Sequence, residues 1–366
     1  MDKNKQSQSA GDNSTQIQAG TINYYVGIDE VKARQICQQE YAIARQNWTE
    51  EAVRIADDRV HQLEDKLMPK MVKYDSTFSI FADPAFQLTI REAQISAAAS
   101  ERESDYEMLS ELVLHRAKHN QEREKRLGVS KAIEIVNDVS DEALIALAIV
   151  YALIKYSPIS DILSQGLTTM NNLYGCILGD STLPNNNDWI EQLGLLSAIR
   201  ISPSGFNSFK KMKEYMPEKL SKYLVSGVLK DSEEYINIVS KFEKCGIPLT
   251  CLIPHPLKKG YSILNNTLNV DEMKITQHIG DITISRELNE EQKTALQSAI
   301  NLLRKKESGD NNMQNVFMEE WDNYPYLKRV HEWWDSLNMH FIITPSGEAL
   351  ANAYIRTKFP GIPGLY

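Results

Sequence analysis

The chain has 366 residues, 42% of them hydrophobic and 24% charged, with few glycines and prolines. That length fits two or three domains of about 100 to 200 residues each and the composition is that of an ordinary globular protein, which confines disorder to ends and joints. A formal net charge of -9 disfavours a protein that coats nucleic acid or an anionic membrane through its overall field, although a local basic patch stays open. The four cysteines, Cys37, Cys176, Cys245 and Cys251, form no CxxC pair and no dense framework, which points to a reducing, cytoplasmic setting.

The first ten residues are polar and carry no apolar run of the signal-peptide kind. Residues 11 to 27, GDNSTQIQAGTINYYVG, read unlike everything after them: Gly11 and Gly20 each open a short stretch, and Ile17, Ile22, Tyr24 and Val26 give alternating apolar positions. A lone pair of short strands is marginal in water, so this leader needs a partner. One reading makes it an oligomerisation element that pairs with the same segment of neighbouring copies, and the other an edge strand or flexible arm lying on its own helical domain.

Helical patterning begins at Ile28, with Asp29 and Glu30 favouring a helix start and Thr49 capping a second helix. Val53, Ala56, Val60, Leu63 and Leu67 alternate three and four apart, one apolar stripe that Met68-Pro69 is expected to close. Asp83-Pro84 opens a further helix, and Ser130 and Ser140 read as caps of two more. The run Ala143 to Ile154, ALIALAIVYALI, falls short of the roughly 18 residues of a membrane span and reads as a buried core helix. The expected organisation is a leader over 1–27, a helical domain over 28–183 and an α+β region over 184–366, mainly α overall, with Pro184 to Asp188 as the break.

Beyond that break two segments resemble each other. WIEQLGLLSAIRISPSGFNSF, from Trp189, and WWDSLNMHFIITPSGEALANAY, from Trp333, both run from Trp and Leu through period-two apolar residues to Pro-Ser-Gly and a helical pattern. Strand, tight turn and helix start in that order are similar to the tail of a winged-helix unit. Tyr261 to Ser285 is strand-rich, and Asn289 caps the helix that follows.

Candidate chemistry is sparse. His115 and His119 share a helix face with Glu111 and Glu122, a conceivable metal set, yet the surrounding HRAKHNQEREKR has the charge density of a solvated face. Cys245, Cys251 and His255 lack a fourth ligand and the usual spacing for structural zinc, and Ser204 and Ser346 fit turn chemistry better than nucleophiles. No GxSxG, HExxH, GxxxxGK[ST] or GxGxxG occurs, and the reading calls for no cofactor or metal. Paired carboxylates such as Asp57-Asp58, Glu50-Glu51 and Glu290-Glu291 suit helix starts and polar faces. Residues 206 to 230 hold Lys210, Lys211, Lys213, Lys219, Lys222 and Lys230 against Glu214 and Glu218, with Phe206, Phe209, Tyr215 and Tyr223 interleaved. Such a patch suits phosphate contact, or else is the wet side of amphipathic helices.

QSQSAGDNSTQIQAGTINYYVGIDEVKARQI resembles the N-terminus of a largely uncharacterised bacterial family, and similar GDNSxxIQAG leaders occur on bacterial proteins linked to defence against phage. The resemblance extends through LTIREAQISAAASERESDYEMLSELVLHRAK (88–118) and DEALIALAIVYALIKYSP (141–158), covering roughly residues 8–158. Its acidic turn is ERESD here, where the family pattern has a glycine, and it carries over no catalytic residues. It implies a non-enzymatic, self-associating interaction or sensor protein in antiphage defence, recognising a phage or host component. The alternative is a DNA- or RNA-binding regulator using the lysine patch. Behind these stand a membrane-attacking effector and a metal enzyme built on His115 and His119.

Overall fold

The structure, a computed structural model, describes residues 28–45, 48–160, 162–202, 209–265, 270–279, 282–303 and 311–365. The leader positions Ile17, Ile22, Tyr24 and Val26, and Ser204 of the first Pro-Ser-Gly, lie outside the described residues. The protein is mainly α, with a small β component in its C-terminal half. The N-terminal part consists of α1 (Glu30–Ala44), α2 (Glu50–Tyr74), α3 (Pro84–Ala99), α4 (Glu103–Lys118), α5 (Arg123–Ile135), α6 (Asp141–Lys155) and α7 (Leu163–Leu178).

Local chemistry sets most of these starts. Asp29, Thr49, Asp83 and Ser140 each accept a hydrogen bond from a first-turn amide, satisfying a donor that the helix itself leaves unpaired. Two expectations need correcting. Ser130 lies inside α5, which begins at Arg123. The helix α2 runs through Pro69 to Tyr74, because Pro69 is on the exposed side and the buried Met68 and Met71 hold the last turn to the core. Packing there outweighs a proline penalty of about 3 kcal/mol. Every residue from Ala143 to Leu153 of α6 is buried, so α6 is the axis of the bundle. Among the described residues, no helix is long and apolar enough to cross a membrane.

The chain continues through α8 (Asp188–Leu195), β1 (Ile199–Ile201), α9 (Met212–Lys219), β2 (Val228–Leu229), α10 (Glu233–Cys245), β3 (Leu252–Pro254) and β4 (Tyr261–Leu264). Then follow β5 (Lys274–Ile279), β6 (Ile282–Glu287), α11 (Glu290–Leu303), α12 (Asn311–Asp322), α13 (Pro325–Ser336), β7 (Phe341–Ile343) and α14 (Pro345–Lys358). The two similar segments meet each other: β1 pairs antiparallel with β7, with Ile199 opposite Ile343 and Ile201 opposite Phe341. Strands this short satisfy their backbone only in pairs. Strands β2, β4 and β3 form a second sheet in that order, and β5 and β6 a hairpin.

Two apolar clusters result. The larger gathers side chains from Ala33 to Tyr223 and again from Phe317 to Ile355, because α14 returns to pack on α4, α5 and α6. The smaller draws only on Val228 to Leu303. The tract 184–188 falls within the larger unit: Pro184 is buried and its carbonyl accepts from the Trp333 indole at 2.8 Å.

Candidate functional site

The segment that follows β1 carries the lysines singled out in the sequence, and the fold uses three of them, Lys211, Lys219 and Lys222, on its own main chain. Met212 at the start of α9 has no cap on its own helix; its amide donates to Asp335 Oδ1 of α13 at 2.7 Å, and Lys211 Nζ donates to Asp335 O at 2.5 Å. Lys219 Nζ, at the other end of α9, donates to the carbonyl oxygens of Leu153, of Ile154 at 3.1 Å and of Tyr156 at 2.7 Å, where α6 ends. Lys222 Nζ repeats the pattern one turn on, with the carbonyls of Pro158, Ile159 and Ser160. Carbonyls at a helix C-terminus lack intrahelical donors and carry the negative end of the dipole, so an ammonium there supplies both a donor and a charge. Burial pulls the Lys219 ammonium down to about 8, still above neutral pH. Lys210 is paired with Glu218 at 2.6 Å in solvent, and Lys213 is exposed.

Between these elements lies a cleft of about 650 Å³. Its wall is aromatic. The Tyr215 ring stacks on Trp334 with centroids 5.5 Å apart and planes 16° from parallel, and Phe209 lies 4.8 Å from Trp334 and 4.9 Å from His340. Trp334 is fixed by its indole N–H, which donates to Lys210 O at 2.8 Å. Ile154, at the end of α6, closes one side, and Lys210, Glu218 and Lys219 supply the polar rim. His340 Nδ1 is buried and has no hydrogen-bond partner among the described residues. A mostly apolar concavity with a few placed polar groups is the usual form of a small-molecule site.

The sequence singled out Phe209, Lys210, Tyr215 and Lys219 of this set but not Trp334, His340 or Ile154. A signal for Trp334 existed: the first similar segment reads Trp189-Ile190 where the second reads Trp333-Trp334. Trp189 and Trp333 pack together in the core, centroids 5.7 Å apart, whereas the extra Trp334, also buried, backs the Phe209 and Tyr215 rings of the cleft wall.

The remaining candidates have structural work. Glu111 Oε1 accepts from Lys70 at 2.6 Å and Oε2 from Arg356 at 2.8 Å, tying α2, α4 and α14 together. Burial pushes its carboxyl up, but these two cations outweigh it and hold the group below its ordinary range. His115 and His119 stack at 4.5 Å, and His119 Nδ1 lies 2.6 Å from Glu122. Burial, with the His119, Lys118, Lys125 and Arg356 charges, drives His115 down to about 4. Among the described residues, no group of three or more His, Cys, Asp or Glu side chains is placed to hold a metal. His255 uses both nitrogens on backbone: Nε2 with Val225 O at 2.7 Å and Nδ1 with the Leu257 and Lys258 amides at 3.0 Å. Cys245 and Cys251 are half-buried against the smaller core. Ser346 Oγ donates to Ser197 O at 2.9 Å, a buried contact between α14 and the loop before β1.

One protein-family model, whose description is a bare "-like" term with no activity in it, matches residues 27–363. No curated protein and no solved structure matches the chain.

Proposed function

We propose that this chain, which belongs to the family matched over residues 27–363, is a sensor: a self-associating recognition protein acting in antiphage defence. The observation that carries the reading is the cleft of about 650 Å³, walled by the rings of Phe209, Tyr215 and His340 with a few polar groups at its rim. The cleft is assembled from α6, α9, α13 and the approach to β7, so an occupant touches elements far apart in the chain.

Assembly is assigned to residues 11–26, whose alternating apolar positions suit pairing between copies, and the defence setting rests on the resemblance of that leader. The lysine patch gives less support to a nucleic-acid regulator. Three of its six ammonium groups, those of Lys211, Lys219 and Lys222, are engaged with main-chain carbonyls, and phosphates would have to displace those contacts. Light scattering on the full chain and on one lacking residues 1–26, at matched concentration and salt, tests the assembly. Loss of an oligomer on truncation is expected, and an unchanged mass refutes the role given to the leader.

A further inference from the structure

We infer that the cleft takes a nucleoside 5′-phosphate, with the base against the aromatic wall and the phosphate at Lys210. This rests on the reading of the cleft as a recognition site and names its ligand class.

Three features select that chemistry. The first is shape: the half-buried Phe209 and Tyr215, backed by the buried Trp334, present rings rather than branched aliphatic chains, and ring faces favour a flat heterocycle, as base-on-aromatic stacking does generally. A cleft of about 650 Å³ is also the size expected for a ligand of mononucleotide dimensions. The second is the His340 ring, which lies 4.9 Å from Phe209 and adds a further planar group to the same wall.

The third is charge. Aromatic walls also suit organic cations, but here two ammonium groups, Lys210 and Lys219, stand at the rim against one carboxylate, Glu218. Lys219 has spent its three N–H groups on the α6 carbonyls, so it contributes field and no hydrogen bond. Lys210 is different. It sits in solvent, its pair with Glu218 is of the exposed kind that contributes little, and its stem can redirect the ammonium to a phosphate.

The test uses the full chain and the fluorescence of anilinonaphthalene sulfonate, itself a flat aromatic anion. The dye is expected to bind, and Tyr215→Ser or His340→Ala to weaken it. AMP and GMP are expected to displace it at lower concentration than adenosine and guanosine. Lys210→Ala, a surface change that leaves folding intact, is expected to remove that phosphate advantage, about threefold, as for an exposed charge pair. His340→Ala, which takes a ring out of the wall, should weaken nucleotide and nucleoside alike. A second arm substitutes a single-stranded oligonucleotide: displacement by mononucleotide assigns a free ligand, and displacement by the oligomer alone assigns a strand. Dye binding that depends on Tyr215 and His340 but resists every nucleotide overturns this inference and leaves the sensor reading standing. Dye binding indifferent to both variants overturns the site itself.

Discussion

Gly347 tests whether the contact between α14 and the paired strands is as close as the structure draws it. A methyl group at this position stands 2.0 Å from Ala198 O, 2.9 Å from Ala198 C and 2.9 Å from Ile343 Cγ2. A tolerable carbon-to-oxygen contact needs about 3.3 Å, so the Ala198 carbonyl must withdraw by about 1.3 Å. That carbonyl also accepts from Thr344 N at 3.0 Å and Thr344 Oγ1 at 2.8 Å, the bonds that hold the start of α14 to the strand pair. Overpacking costs about 1 to 3 kcal/mol, and two strained hydrogen bonds add about 1 kcal/mol each. Alanine is the better helix former by about 1 kcal/mol, which offsets only part of this. Gly347→Ala is therefore expected to lower stability by about 2 to 4 kcal/mol. Urea unfolding followed by tryptophan fluorescence reads it cleanly, because all five tryptophans lie outside the span of the smaller core. Gly361→Ala is the control, meeting only the Phe359 ring at 3.5 Å, and should stay within about 0.5 kcal/mol of the parent. A Gly347→Ala midpoint at or above the parent's, with unchanged slope, refutes the close approach.

Lys219→Met strips three carbonyls at the end of α6 of their donor, and a loss of about 2 kcal/mol in the same urea assay is expected; a loss below about 0.5 kcal/mol marks the clamp as ornamental. Glu111→Gln removes the counter-charge of the partly buried Arg356 and leaves Lys70 with Glu107 alone, so about 2 kcal/mol should be lost, whereas a neutral outcome means that Arg356 relaxes into solvent. His115 gives an acid-side signature. Its folded value of about 4 lies below its ordinary 6.5, so the unfolded chain binds the extra proton: stability is full above about pH 6.5 and falls as pH drops toward 4. The cations facing it are His119, Lys118, Lys125 and Arg356, from α4, α5 and α14. Discounted for the ring's partial exposure, the fall is about 2 kcal/mol. His115→Phe should flatten that part of the pH profile, and an unaltered slope assigns it to other groups.

The parts of the fold legible in the sequence are those decided within a turn or two of chain. Thr49, Asp83, Ser140 and Asn289 announce their helices because a cap is a bond across three residues, and Gln292 returns the bond to Asn289 N at 3.1 Å. Pro69 misled because a proline's local cost was weighed without the buried methionines on either side of it. The lysines misled in a related way: a helical pattern shows which side of α9 is wet, and nothing in it shows that Lys219 reaches carbonyls of α6 some 63 to 66 residues earlier. The similarity of the two Pro-Ser-Gly segments was visible, but their pairing was not, since strand partners are set by packing across the whole chain.

That pairing bears on the cleft. Between β1 and β7 the chain makes a long excursion, and closing a long loop costs only slightly more than closing a short one, so a three-residue strand pair can carry it. The excursion leaves the sheet after Ser202 and rejoins it at His340, whose carbonyl accepts from Ser202 N at 3.0 Å to extend the β1–β7 ladder. Phe209 and His340 are in ring contact at 4.9 Å, and both line the cleft. A ligand seated there bridges the outgoing and returning ends of the excursion and rests against Ile154 at the end of the bundle's central helix. Occupancy then stabilises the β1–β7 pair and the α14 start that depends on it. Binding at the cleft and the strain introduced by Gly347→Ala should therefore oppose each other: saturating ligand recovers part of the stability that the substitution removes, and a purely additive response separates the cleft from the strands beneath it.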